Sequence, residues 1–273
     1  MSVERPSWAS SEVDITRPSV ARVYDFYLGG SHNFESDRTF GQTVVEAYPA
    51  LPTVLRQNRA FLRRAVRHLA EVGVDQFLDL GSGIPTVGNV HEVAQAARPD
   101  ALVVYVDHDP VAVTHSRELV DDRPRTCVLD ADFLDVEQVL DLAVREGGMD
   151  LDRPVALLAV AVLHFVPDDR GPAETMARYM SALAPGSHLA ISHSRSDGEP
   201  EAVAGQQLYR QERSLPSMHP RSTAAIAGLF GDLTVVPPGL VPVPCWRPGP
   251  ADTVDADEAT DDHPLLAGMG RRD

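Results

Sequence analysis

From Val74 onward the chain alternates short apolar runs with amphipathic ones, and that alternation limits the fold more than any other feature. Strand-like runs fall at Gln76–Leu80, Leu102–Asp107, Thr126–Leu129, Val155–Leu163 and His188–Ser192. Helical spacing fills the intervals, at Val87–Ala97, Pro110–Val120, Val136–Arg145 and Ala173–Leu183. A strand reached from its predecessor through a helix lies parallel to it, over a right-handed crossover. The pattern therefore predicts an α/β fold with a wound, mostly parallel sheet. The longest unbroken apolar run, Val155–Leu163, is too short for a bilayer span of about 20 residues. It suits a strand covered on both faces.

The first strand ends in Asp79-Leu80-Gly81-Ser82-Gly83-Ile84-Pro85-Thr86. A strand that breaks into a glycine turn before a helix lets a ligand approach bare backbone. The second strand also ends on an acid, Asp107, followed by His108, and the third leads into Asp130-Ala131-Asp132-Phe133. In open α/β sheets ligands bind outside the carboxyl ends of the strands. An adenosyl group needs a carboxylate for its ribose, an acceptor for its amino group and an apolar wall. Asp107, Asp132 and Phe133 come in that order. The plainer alternatives are that Asp79 caps a turn, that Asp107 or Asp109 caps the next helix, and that Asp132 belongs to a solvated loop. Pro85-Thr86 stands where a dinucleotide fingerprint would place its third glycine. A ligand without a pyrophosphate does not need that glycine, which favours S-adenosylmethionine over NAD or FAD.

The net charge of −16 opposes binding to nucleic acid or an anionic membrane. Seven acids and two arginines of that balance lie between Asp252 and Asp273. All basic residues are arginines, as codon usage in a GC-rich genome also produces. Cys127 and Cys245 make neither a disulfide framework nor a metal pattern, and no histidine set has metal spacing. These features, with no signal-peptide pattern in Met1–Asp14, predict a reducing, cytoplasmic location.

Before the alternation, helical spacing covers Pro18–Leu28, Asp37–Ala47 and Thr53–Val72. In the third, Phe61, Leu62, Ala65, Val66 and Leu69 form the apolar stripe, with Arg63, Arg64, Arg67 and His68 facing away. Tyr24, Asp25, Tyr27, Gly29, Gly30, His32 and Asn33 read as a lid over cofactor and substrate, hinged at Gly29-Gly30; the alternative is an ordinary glycine cap. Arg59 offers a guanidinium for a carboxylate, or a surface ion pair. After helical stretches at Glu199–Gln211 and Thr223–Phe230, Leu233–Val236 and Leu240–Trp246 flank Pro237-Pro238-Gly239, which predicts a closing antiparallel hairpin. Residues 249–273 read as an acidic, disordered tail. The expected divisions are 1–16 flexible, 17–72 helical cap, 73–248 core, 249–273 tail.

His164, at the end of the fourth strand, is the first candidate for a general base, with His193 second; the alternative is a structural role for each. His91 reads as structural, and His68, His115 and His188 as facing solvent.

The chain resembles the actinobacterial S-adenosyl methyltransferase family, long catalogued as a domain of unknown function. The resemblance rests on the block from Ala21 to Gly30 with Asn33-Phe34 and Asp37-Arg38, on Asn58 to Arg67, and on Phe77 to Thr86 with Asn89-Val90-His91-Glu92-Val93-Ala94-Gln95. It extends through Tyr105 to Pro110, Ala161 to Asp168, and Pro238 to Pro242 with Trp246-Arg247-Pro248. It implies a Rossmann-like class I methyltransferase fold and S-adenosylmethionine as cofactor, with S-adenosylhomocysteine as product. It names no acceptor. The expected cofactor-binding residues are Asp79, Gly81, Ser82, Gly83, Asp107, His108, Asp132, Phe133, Arg59, Gly30 and Asn33. Tyr24, Asp25, Tyr27 and His32 are expected at the substrate or lid. The expected function is methyl transfer to a small-molecule acceptor; the alternatives are cofactor binding without transfer and an NAD(P)-dependent oxidoreductase.

Overall fold

The computed structural model describes residues 13–84, 88–249 and 261–273. Five parallel strands form the heart of its sheet: β1 (Gln76–Leu80), β2 (Leu102–Asp107), β3 (Thr126–Asp130), β4 (Ala156–Val160) and β5 (His188–Ser194). Alternate residues feed two cores. Phe77, Val103, Leu158 and Ala190 pack on one face, and Leu78, Val104, Leu157 and Leu189 on the other. Two buried faces explain why these strands read as continuous apolar runs.

Helices α1 (Val20–Tyr27), α2 (Glu35–Ala47) and α3 (Leu51–Glu71) precede the sheet. They share the first core with it: Val23, Val44 and Phe61 belong to the same cluster as Phe77 and Leu158. The Arg22 Nε donates to both oxygens of Asp37, at 3.1 and 2.9 Å, and locks α1 to α2 with both side chains buried. Arg64 does not face away. It is buried and donates to the carbonyls of Trp246 (2.8 Å) and Val243 (2.6 Å), pinning the late chain to α3. His115 and His188 are buried rather than solvent-facing, and His68 is half-buried.

The remaining helices are α4 (Val90–Ala97), α5 (Pro110–Val120), α6 (Val136–Arg145), α7 (Pro172–Ala182), α8 (Pro200–Gln211) and α9 (Thr223–Gly228). The Asn89-Val90-His91-Glu92 block is the start of α4, where Asn89 and Glu92 form a reciprocal capping box. His91 is tied to the Tyr105 hydroxyl, which accepts from its backbone N at 3.0 Å and lies 2.8 Å from Nδ1.

Two expectations fail at the end of the chain. The stretch expected to be disordered supplies β8 (Leu265–Arg271), which is buried up to its last residue and runs antiparallel to β5. β6 (Thr234–Val235) and β7 (Val241–Pro242) do not form a hairpin with each other; each pairs antiparallel with β8 at a different register. The sheet order is β3-β2-β1-β4-β5-β8-β6, with β7 also on β8. The sheet does close antiparallel, but through β8, whose Gly268 and Gly270 leave room for Phe230 and Leu233.

Candidate active site

A cleft of about 410 Å³ lies across the carboxyl ends of the parallel strands, within the range usual for small-molecule sites. Gly81 N and Ser82 N donate to Val106 O at 2.8 and 3.1 Å, so the turn after β1 continues along β2. Gly81 has φ +62° and presses on the next layer: a Cβ there would lie 2.3 Å from Val162 Cγ2. The turn's continuation, Pro85 to Val87, lies outside the described residues, as does Met1 to Ser11 with Glu12.

Asp79, Gly81, Ser82, Gly83, Asp107, His108, Asp132, Phe133 and Arg59 all line this cleft. Gly30 and Asn33 do not. They belong to a turn closed on Asp25, whose Oδ2 accepts from His32 N (2.9 Å) and Asn33 Nδ2 (2.8 Å). A Cβ at Gly30 would collide with that carboxylate. The Gly29-Gly30 segment is thus a buckle fastened by a buried acid. His32 packs against His115 instead, with ring centroids 3.9 Å apart and the planes tilted by 49°.

Asp109, not Asp107, caps α5, accepting from Val111 N and Ala112 N. Its other oxygen takes the hydroxyl of Ser19, which ties α1 to the cleft. Asp107 accepts from Gly83 N (2.7 Å) and from His108 N and Asp109 N (both 2.8 Å). Asp132 turns its own loop by accepting from Leu134 N at 2.9 Å and lies 3.9 Å from Arg170. Burial pushes Asp79 up to about 7, against the pull of Arg59 and with a further push from Asp107. Arg59 Nε and Ser82 Oγ are buried with no hydrogen-bond partner among the described residues. Buried polar atoms left unpaired beside a cleft point to a polar ligand.

The opposite wall has no counterpart in the sequence pattern. β4 stops at Val160 because Ala161 adopts φ +56°. Its N–H reaches Ser192 Oγ at 3.0 Å, Ser192 donates to Asn58 Oδ1 at 2.6 Å, and Asn58 Nδ2 donates to the Tyr24 hydroxyl at 3.1 Å. No local pattern announces this relay. Behind it lies a second, apolar cavity of about 70 Å³. Val20, Tyr24, Ala161 and Phe165 line both spaces and form their common wall.

His164 is not on β4. It sits in a 3-10 turn, Leu163–Phe165, and lines the second cavity rather than the cleft. Burial holds its pKa well below the usual histidine range, reinforced by His193 and Arg221. His193 lines neither space. Its Nδ1 donates to Ser194 O at 2.7 Å and its Nε2 lies 2.8 Å from Arg221 Nη1, so both ring nitrogens are engaged in structure. Burial lowers it to about 4. Arg221, unmarked in the sequence, also donates to Leu163 O, Val166 O and Asp168, and so clamps the turn that carries His164. Among the described residues no group of three metal-binding side chains converges, and no helix is long and apolar enough to cross a membrane.

A mixed sheet of this order, with acids at successive strand ends around one cleft, defines a class I methyltransferase fold. The S-adenosyl methyltransferase family model matches residues 6–273, and the chain belongs to that family. It is 39% identical to a protein of Thermobifida fusca provisionally described as a methyltransferase, with a TM-score of 0.90 over 98% of this chain and 99% of that one. A DUF574 family protein from Streptomyces avermitilis is 37% identical, with a TM-score of 0.89 over 95% and 99%. The N-methyltransferase NodS from Bradyrhizobium japonicum, solved with S-adenosyl-L-homocysteine, is 14% identical with a TM-score of 0.50 over 80% and 87%, a likeness of fold alone. No curated protein matches the sequence. The chain is a methyltransferase that uses S-adenosylmethionine.

Proposed function

We propose that the chain methylates a small-molecule acceptor, with the donor held along the turn after β1 and the acids at the strand ends. The observation that carries this reading is the pair of buried, unpartnered atoms, Arg59 Nε and Ser82 Oγ, in a cleft of adenosyl-compound size. Arg59 suits the amino-acid carboxylate, which a guanidinium can grip through two N–H groups. Asp79 suits the ammonium. Asp107 suits the ribose hydroxyls, and Asp132 with Phe133 the adenine. When bound, S-adenosylmethionine supplies a methyl group on a sulfonium, open to in-line displacement.

The charges also select the ligand. Among the described residues, Asp79, Asp107, Asp109 and Asp132 line the cleft beside one guanidinium, Arg59. That balance favours a ligand of net positive charge and repels a pyrophosphate. The protein's part is to hold and orient the two reactants, worth roughly 7–11 kcal/mol when the geometry is good. Thermal unfolding with ligands tests the reading. S-adenosylmethionine and S-adenosylhomocysteine should each raise Tm, NAD(P) should not, and Arg59→Met should abolish the rise. A shift with NAD(P) alone overturns it.

A further inference from the structure

We infer that the apolar cavity behind the Tyr24–Phe165 wall receives the methyl acceptor, and that this acceptor is an uncharged molecule with a short apolar end and a hydrogen-bond acceptor atom facing His164 Nε2. The inference rests on the methyl-transfer reading above, because the cavity matters as an acceptor site only if the donor occupies the adjoining cleft. Three observations carry it: the shared wall, the polar inventory of the lining, and the tautomer of His164.

Val20, Tyr24, Ala161 and Phe165 separate the two spaces and belong to both, so a molecule in the cavity abuts the donor cleft. The strained Ala161 and the relay through Ser192 and Asn58 hold this wall in place.

Among the described residues, the lining carries no aspartate, glutamate or arginine. Its polar groups are mostly spent on one another. The Tyr27 and Tyr209 hydroxyls lie 3.1 Å apart, and the Gln206 amide nitrogen donates to Ser194 Oγ and Arg195 O. The Tyr48 hydroxyl donates to Glu199. A charged guest would lose its hydration and meet no countercharge.

His164 supplies the directional contact. Ser194 N–H donates to its Nδ1 at 3.3 Å, so Nδ1 is an acceptor. Burial keeps the ring neutral. A neutral ring that accepts at Nδ1 carries its proton on Nε2. His164 is therefore a donor to the guest, not a base toward it. The cavity, at about 70 Å³, is roughly half the size of the ~150 Å³ space that admits benzene. It fits the acceptor's apolar end, a few carbons long, with the reacting atom against the residues the cavity shares with the donor cleft.

Met218 lines the cavity and gives a local readout. The full chain, labelled with 13C-methyl methionine and assigned through Met218→Leu, is titrated with acetone and, separately, with acetate, a neutral and a charged probe of nearly the same shape. The ketone should shift the Met218 methyl signal saturably, and the carboxylate should not. Gly205 lies on the α8 face of the cavity, and a Cβ there meets only ordinary contacts, 3.5 Å from Tyr48 and 3.6 Å from Val44. Gly205→Leu should fill the space and abolish the ketone shift while the variant still unfolds cooperatively. His164→Leu should weaken ketone binding by about fivefold, the worth of one neutral hydrogen bond. Calorimetry with S-adenosylhomocysteine runs in parallel. If that ligand fails to bind, the donor reading falls. If it binds but the ketone leaves Met218 unmoved, acetate moves it equally, or Gly205→Leu leaves ketone binding intact, the acceptor assignment is overturned.

Discussion

Gly83 donates its backbone N–H to Asp107 Oδ2 at 2.7 Å, fastening the turn after β1 to the carboxylate that ends β2. His108 N and Asp109 N occupy Oδ1. A carboxylate has about four acceptor positions, so one remains, on Oδ2. Burial raises the pKa of Asp107 while the N–H groups of Asp109 and Gly83 oppose that rise. Three backbone N–H groups orient the carboxylate, and its last lone pair is the one that the proposed ribose contact would use.

Asp107→Asn tests that arrangement. An amide has an acceptor on one side only, so its NH₂ must confront either Gly83 N–H or the His108 and Asp109 pair. A hydrogen bond to a charged group is worth about 1.5–3 kcal/mol. S-adenosylhomocysteine should therefore bind roughly 10- to 100-fold more weakly by calorimetry. An unchanged Kd removes Asp107 from the donor site.

Gly81→Ala should destabilise the fold. The residue holds φ +62°, and an added Cβ would sit 2.3 Å from Val162 Cγ2. Left-handed backbone at a non-glycine residue costs about 1–3 kcal/mol, before any steric overlap. Tm should fall, and Gly81→Ala with Val162→Ala should recover the steric part but not the backbone part. Equal Tm values for the single and double variants would show that Val162 yields without cost.

The parallel sheet and most of the cleft lining were legible because each depends on local order. An apolar run, a glycine turn and an acid at the strand end repeat in sequence as they do in space. The wall formed by Tyr24, Asn58, Ala161 and Ser192 was hidden because its members are distant in sequence and meet only through tertiary hydrogen bonds. β8 was hidden for a different reason. Gly268 and Gly270 weaken its strand signal, and the acids before it resemble a solvated tail. Those glycines are needed because Phe230 and Leu233 pack where side chains would stand, 3.1 and 2.8 Å from the missing Cβ atoms. Leu265-Leu266-Ala267 was the clue available. His164 reads as the end of the fourth strand because the apolar run continues to Leu163, whereas the backbone turns at Ala161.

Removing residues 250–273 should abolish cooperative folding. β8 pairs with β5 along its whole length and also holds β6 and β7. Without it the buried β5 edge loses its ladder, and such an edge is prone to aggregate. The truncated chain should collect in the insoluble fraction and show no sharp thermal transition. A soluble truncation with wild-type Tm would contradict the strand pairing.

Asp79 sets a pH dependence that separates stability from binding. Its pKa is about 7 in the fold, raised from 3.8 chiefly by burial. Between those values the native state holds a proton that the unfolded chain releases, so stability falls as pH rises from about 4 to about 7. At about 1.4 kcal/mol per pKa unit, the cost of ionised Asp79 above pH 7 is at most about 4 kcal/mol. Asp79→Asn, close in shape and never charged, should raise Tm at pH 8, and the gain should vanish near pH 4. Binding runs the other way. An ammonium favours the ionised carboxylate, so the affinity of the native protein for S-adenosylhomocysteine should weaken as pH falls below about 7. The asparagine variant should bind weakly and without that slope. Measured together, a more stable variant that keeps native affinity and native pH response would remove Asp79 from the ammonium site.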